Sequence, residues 1–174
     1  MGYTTYFSGR FELDKPLTEE QAKYLEDFSN SRRMKRDATL VATFPDEVRE
    51  AVKLPIGDEG GYYVGSYCGQ GKDESIKVFN FPPSGQPGLW CQWVPTEDNK
   101  GIEWDGNEKF YDYFKWLNYL IVHFLKPWGL TLNGQVHYRG EESDDRGYIR
   151  VEDNMILRGE AQVSFVEYPY ETQD

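Results

Sequence analysis

The sequence predicts an α+β fold: an antiparallel sheet with two main helices on one face, a ferredoxin-like βαββαβ core and an extra C-terminal hairpin. Three observations lead there. Residues 102–136 carry the strongest helical pattern, with Phe110, Tyr113, Phe114, Leu117, Leu120, Ile121, Phe124 and Leu125 at three-and-four spacing on one face. Strand-like alternation flanks that helix on both sides, so the helix must cover a sheet. The element order along the chain is strand, helix, irregular loop, strand, strand, helix, strand, hairpin.

Residues 3–13 alternate as a strand, with Tyr3, Thr5, Phe7, Gly9, Phe11 and Leu13 on one side; Gly9 leaves room for a close approach from outside. Thr18 is placed to cap the first helix, with Gln21 at the capping-box position and Ala22, Leu25 and Phe28 as its buried face. Ser31 to Arg36, SRRMKR, is the only concentrated positive charge. It reads as a solvated helix end or, in the functional alternative, as an anion clamp in which Arg33 and Arg36 hold phosphate. Residues 45–52 suggest a short helix that ends at Leu54-Pro55.

Residues 57–88 hold eight of the chain's 17 glycines and form an irregular Gly/Pro-rich insertion within a single domain spanning 1–174. Such a segment is either a connection or a ligand-covering loop. It contains neither a Walker loop nor a dinucleotide fingerprint. Leu89 to Val94 reads as a central strand, with large apolar groups on both faces, and residues 102–104 return beside it after a turn. Asp105 and Glu108 fit a capping box for the main helix, which Lys126 and Pro127 end. Residues 130–138 form a half-buried strand whose outer face is Thr131, Asn133, Gln135, His137 and Arg139. After an acidic turn, 148–157 make two short strands around Glu152-Asp153-Asn154. Ala161, Val163 and Phe165 suggest a further edge strand.

The net charge of −11 and pI of about 4.7 argue against a broad nucleic-acid surface, which needs clustered Lys and Arg, while leaving room for a locally basic pocket. No leader pattern and no long apolar run appears, so a soluble, cytoplasmic protein without a membrane partner is expected. Cys68 and Cys91 match neither a zinc set nor a disulfide framework and are expected as free thiols. No cofactor motif is present, so no cofactor is expected, and no metal site is assigned.

Several segments are too unusual to be chance: MGYTTYFSGRFELDKPLTEEQ, EGGYYVG, PPSGQPGLWCQWVPTEDNKGIEWDGNEKFYDY, FLKPWGLTLNGQVHYRGE and the following DNMI. Through them most of the chain resembles a family of small uncharacterised proteins of bacteriophages and bacteria. The resemblance transfers no activity and no site residues. It implies a context, in which small phage proteins often modulate the host, including as inhibitors of immune signalling, and a cytoplasmic location in the host cell.

The chemistry readable from side chains is sparse. His123 and His137 are not followed by the Thr or Ser of paired-histidine phosphodiesterases, and no nucleophile elbow exists. Glu141, Glu142, Asp144 and Asp145, with Glu152 and Asp153, read as a solvated turn more readily than as a cation site. The constellation that stands out is aromatic. Tyr62, Tyr63, Trp90, Trp93 and Trp104, with Gln92 and Arg139 as polar partners and Arg33 or Arg36 for phosphate, would stack a planar base at roughly 1–3 kcal/mol per ring. The expected function is therefore a non-enzymatic binding protein that sequesters a small anionic, nucleotide-like ligand to counter host immune signalling. Two alternatives stand beside it: an acidic protein–protein interaction module that inhibits a host protein, and a metal-assisted nucleotide hydrolase. The sequence leaves room for a homo-oligomer.

Overall fold

The computed structural model describes residues 2–65 and 71–170. Cys68, noted above, lies outside them. The chain is a mixed α+β protein built on a mostly antiparallel sheet.

Its first strand comes in two pieces, β1 (Tyr6–Ser8) and β2 (Phe11–Leu13), both antiparallel to β7 (Leu132–Arg139). The register is continuous across the gap, from Tyr6 opposite Arg139 to Leu13 opposite Leu132. The interruption is at Gly9, where φ is +100° and an added Cβ would sit 3.1 Å from the Gln135 carbonyl oxygen. The close approach expected at this glycine is thus made by the neighbouring strand's backbone. β5 (Trp93–Pro95) and β6 (Gly101–Trp104) form a hairpin, and β6 pairs with β2. β8 (Arg146–Glu152) follows β7, and β9 (Met155–Glu160) ends the sheet. The resulting order is β5-β6-β2-β7-β8-β9. Asp153 and Asn154, both at positive φ, make the tight turn between β8 and β9. β3 (Lys35–Arg36) and β4 (Ile76–Val78) form a separate two-stranded ribbon, so the Gly/Pro-rich insertion contains one short strand.

Helix α1 (Glu19–Asn30) has the full capping box at Thr18 and Gln21, and buries Leu25 and Phe28 together with Tyr24. Two short helices follow, α2 (Ala38–Val41) and α3 (Glu47–Ala51). The main helix differs from expectation at its start. α4 is Tyr113–Leu120 and continues as a π-helical turn over Ile121–Leu125, in which the Lys126 N–H reaches the Ile121 carbonyl. Residues 106–112 are not helical. Asp105 does not cap: its carboxylate accepts from the Asn107 backbone N–H at 2.8 Å and side-chain amide at 2.9 Å. This local turn wins over the helix, and Gly106, Lys109 and Asp112 then all stand at positive φ, which no helix tolerates. Phe110 reaches the core from this loop, packed on Phe7 and Trp93.

One sheet face, with Phe11, Leu132, Val136, Ile149 and Val151, joins Phe28, Trp116, Leu117, Phe124 and Leu125 of the helices in a single core. The opposite face is open. Two further expectations fail. Leu89 to Gln92 are not in a strand, although Cys91 is fully buried. Beyond Ala161, whose N–H still bonds to the Arg146 carbonyl, the chain leaves the sheet. Residues 161–170 are exposed, with Phe165 at 92%, because the alternation there finds no face to pack on. Among the described residues no helix is long and apolar enough to cross a membrane.

Candidate functional site

The aromatic residues singled out from the sequence do not converge. Trp93 is wholly core: it is 1% exposed, its indole N–H donates to the Tyr113 carbonyl at 2.9 Å, and Phe7, Phe11 and Phe110 surround it. Tyr62 lies against Phe124, with its hydroxyl 2.6 Å from Nδ1 of His123 and its carbonyl accepting from the Tyr24 hydroxyl. Burial lowers the pKa of His123, which stacks on Tyr119 at 4.1 Å. Tyr63 lies beneath the Arg36 guanidinium.

The two expected phosphate ligands are engaged internally. Arg33 is 3% exposed and donates to the Tyr63 and Gly61 carbonyls at 3.0 and 2.8 Å and to Gln86 Oε1 at 3.2 Å, while its guanidinium sits over Phe28. Arg36 bonds to Asp73 and Ser75. SRRMKR is therefore neither a solvated end nor an anion clamp. It ties the irregular segments to the end of α1. Arg139 is exposed on the open sheet face, away from this cluster.

Trp90 and Gln92 do share a cavity, of about 680 Å³. Its walls are the end of α1 at Ser29 and Asn30, the segment Gly88 to Trp90, the loop from Asp105 to Asp112, and Trp116. The loop is fixed by side chains that the sequence could not assign. Gln92 is buried, donates to the Glu108 carbonyl at 3.1 Å and accepts from the Trp104 indole at 3.1 Å. The Asp105 N–H donates to the Gln92 carbonyl. The Ser29 hydroxyl donates to the Cys91 carbonyl at 2.7 Å, and burial pushes the Cys91 thiol up to about 12. Gln92 thus positions the wall, while the half-buried Trp90 is the ring offered to an occupant.

A second cavity of about 530 Å³ adjoins the first, sharing Asn30, Asp105 and Asn107, and is lined by Trp104 with Glu26, Glu97 and Glu103. Around the two cavities stand Glu26, Glu97, Glu103, Asp105, Glu108 and Asp112, against Lys109 and the Lys115 that pairs with Asp112 at 3.0 Å. Such a field favours a cationic or neutral group and repels a free phosphate. The wall residues Asp105, Asn107 and Glu108 were missed because the helical pattern placed 106–112 on a helix capped by Asp105. The signal available was the run Asp105-Gly106-Asn107, which favours a turn.

The acidic β7–β8 turn is engaged structurally. Glu141 accepts from the Thr4 N–H and Asp145 from the Tyr3 hydroxyl. Among the described residues, no group of three or more His, Cys, Asp or Glu side chains is placed to hold a metal ion. No family model, curated protein or solved structure matches the chain.

Proposed function

We propose that the protein is a non-enzymatic interaction module that takes a basic side chain of a partner protein into the Trp90 cavity. The observation that carries this reading is the pairing of an aromatic wall with a carboxylate rim. A guanidinium gains from stacking on an indole and from nearby carboxylates together, about 0.5–2 kcal/mol for the ring contact alone depending on desolvation. Complementary charge also speeds encounter with a basic partner and discourages acidic ones. In the setting suggested by the resemblance to phage proteins, the partner would be a host protein whose basic surface is blocked.

A second reading keeps the nucleotide-like ligand. The cavity has the size of a small-molecule site and a stacking ring in its wall. Given the rim, the base would enter and the phosphates would stay outside near Lys109. The two readings separate on charge. The triple variant Asp105→Asn, Glu108→Gln, Asp112→Asn should weaken capture of an arginine-rich peptide and strengthen capture of a nucleotide relative to its nucleoside. If it moves both ligands equally, the rim does not select the occupant. The hydrolase reading draws no support from the acidic turn, whose Glu141 and Asp145 are held by Thr4 and Tyr3.

The four strands 6–13, 93–95, 101–104 and 132–139, numbered in chain order, lie 2-3-1-4 across the sheet, with α1 and α4 as the two crossovers. That order supports reading the core as a ferredoxin-like split βαβ sandwich, which hosts many functions and selects none.

A further inference from the structure

We propose that the open face of the sheet binds single-stranded nucleic acid, with a phosphodiester held between Arg139 and Arg146 and a base stacked beside them on His137 and Tyr148. This site lies on the face opposite the helices and does not depend on the reading of the Trp90 cavity.

The β-sheet register assembles the site. Arg139 stands directly opposite Arg146 across β7 and β8, and Tyr6 lies opposite Arg139 on β1. One row along, Ser8, His137, Tyr148 and Gly159 face one another across four strands. The next row holds Gln135, Arg150 and Leu157. Side chains at these positions share one face because strand periodicity is two. For Gln135, His137 and Tyr148 the shared face is seen in the His137–Tyr148 ring contact at 6.2 Å and the Gln135–His137 hydrogen bond at 3.2 Å. Tyr148 lies flat across Gly159, where any added Cβ would strike its ring.

Charge then points to the occupant. Two arginines on this face are neutralised within the fold, Arg10 by Glu12 and Asp98 and Arg150 by Glu152. Arg139 and Arg146 are exposed, and among the described residues neither has a carboxylate within 4.0 Å, although Arg146 lines an acidic cavity with Glu142, Asp144, Asp145 and Glu160. Like charges directly opposite one another in a sheet are destabilising, so the pair is held at a cost that an anion between the two forks would relieve. Two guanidinium forks suit the several oxygens of a phosphodiester. Rows spaced about 6.8 Å apart along the strands put the rings beside the arginine pair, within one nucleotide's reach. A flat face carrying rings with phosphate ligands beside them recognises unstacked bases. Duplex is disfavoured, because this basic patch is small and the chain carries a net charge of −11.

The test is fluorescence anisotropy of short single-stranded RNA and DNA and of the matched duplex, titrated with the full chain between about 50 and 200 mM salt. The expected result is binding of the single strands over the duplex. For the variant Arg139→Gln/Arg146→Gln, binding should weaken at least about tenfold, and the slope of log K against log salt should flatten by about 1.4, two contacts at about 0.7 each. Tyr148→Ala should weaken binding by about fivefold or more with an unchanged slope. Circular dichroism of each variant should match the wild type, since all three side chains lie on the open face. No binding of single strands at the lowest salt overturns the proposal, as does preference for duplex or an unchanged slope in the double variant. If sedimentation shows instead that the double variant loses only a self-association of the wild type, the face belongs to a second copy of the chain and the proposal falls.

Discussion

Arg33 is the side chain whose loss the structure predicts most sharply. It is buried and the groups it bonds or stacks on are neutral: the Gly61 and Tyr63 carbonyls, Gln86 Oε1 and the ring of Phe28. Arg33→Met keeps the volume and the apolar stem but removes every donor. The Gly61 carbonyl retains the Gln86 Nε2–H at 2.6 Å, while Gln86 Oε1 loses the Arg33 donor and the Tyr63 carbonyl loses its bond to a charged group. A buried unsatisfied acceptor costs about 1–3 kcal/mol, and the lost stack on Phe28 adds about 1 kcal/mol. Against this, the variant no longer has to desolvate a guanidinium, a penalty that lowers the Arg33 pKa in the native chain. A net loss of about 3 kcal/mol follows, a large share of a typical domain's stability, corresponding to a fall in Tm of roughly 6–12 °C at this size. Urea and thermal melts followed by circular dichroism measure it. Arg33→Lys should fall between wild type and Met, because one ammonium cannot reach all three acceptors. If Arg33→Met were as stable as wild type, the desolvation penalty would outweigh the bonds, and the account of SRRMKR as an internal tie would be refuted.

Other outcomes follow from the same geometry. Trp93→Ala should cost about 3–5 kcal/mol in chemical denaturation as a core deletion, whereas Trp90→Ala should leave the melt near that of wild type. Arg146→Glu replaces a like-charge cross-strand pair with an opposite one and should raise stability by about 0.2–1 kcal/mol in urea melts, although the same change should abolish binding of single strands. Alkaline stability should fall steeply. Burial pushes Cys91, Tyr113 and Tyr119 each up to about 12. The native chain then keeps protons that the unfolded chain loses, so stability is full below about pH 8.5 and is lost as the pH climbs toward 12. Melts from pH 7 upward check this, and a flat profile to pH 11 would contradict it. His123 runs the other way. Its depressed pKa favours the neutral ring in the native state, so its contribution is present above about pH 6.5 and lost as the pH falls below the native value.

Periodicity was a good guide wherever one face was buried and the other wet. Residues 132–139 alternate between core and solvent as their sequence does, and the Thr18–Gln21 box starts α1 where its spacing requires. It misled where local turn chemistry competed with it. Seven of the eight stripe residues, Tyr113 to Leu125, do lie on the helix, but Asp105 bonds to Asn107, the helix begins only at Tyr113, and Phe110 is left on the loop. That difference created the cavity, since the loop from 106 to 112 is its wall. The alternation after Glu160 also misled, because alternation describes a strand only where there is a face to pack on. Residue type alone did not separate Trp90, which lines a cavity, from Trp93, three positions on, which fills the core. Nor did it tell Arg33, spent on backbone carbonyls, from Arg139, exposed on an open sheet. Those distinctions depend on contacts between residues far apart in sequence, such as Arg33 with Gln86.

The most direct test of the binding account is capture by the folded wild type beside Trp90→Ala. Immobilised protein is exposed to arginine-rich peptides and to a panel of nucleosides and nucleotides, washed, heat-denatured, and the released material chromatographed. The account predicts recovery of an intact occupant from wild type, basic peptide ahead of nucleotide, and little from Trp90→Ala at equal folded protein. Equal recovery from both proteins, or none from either, would contradict the assignment of the Trp90 cavity as the working site.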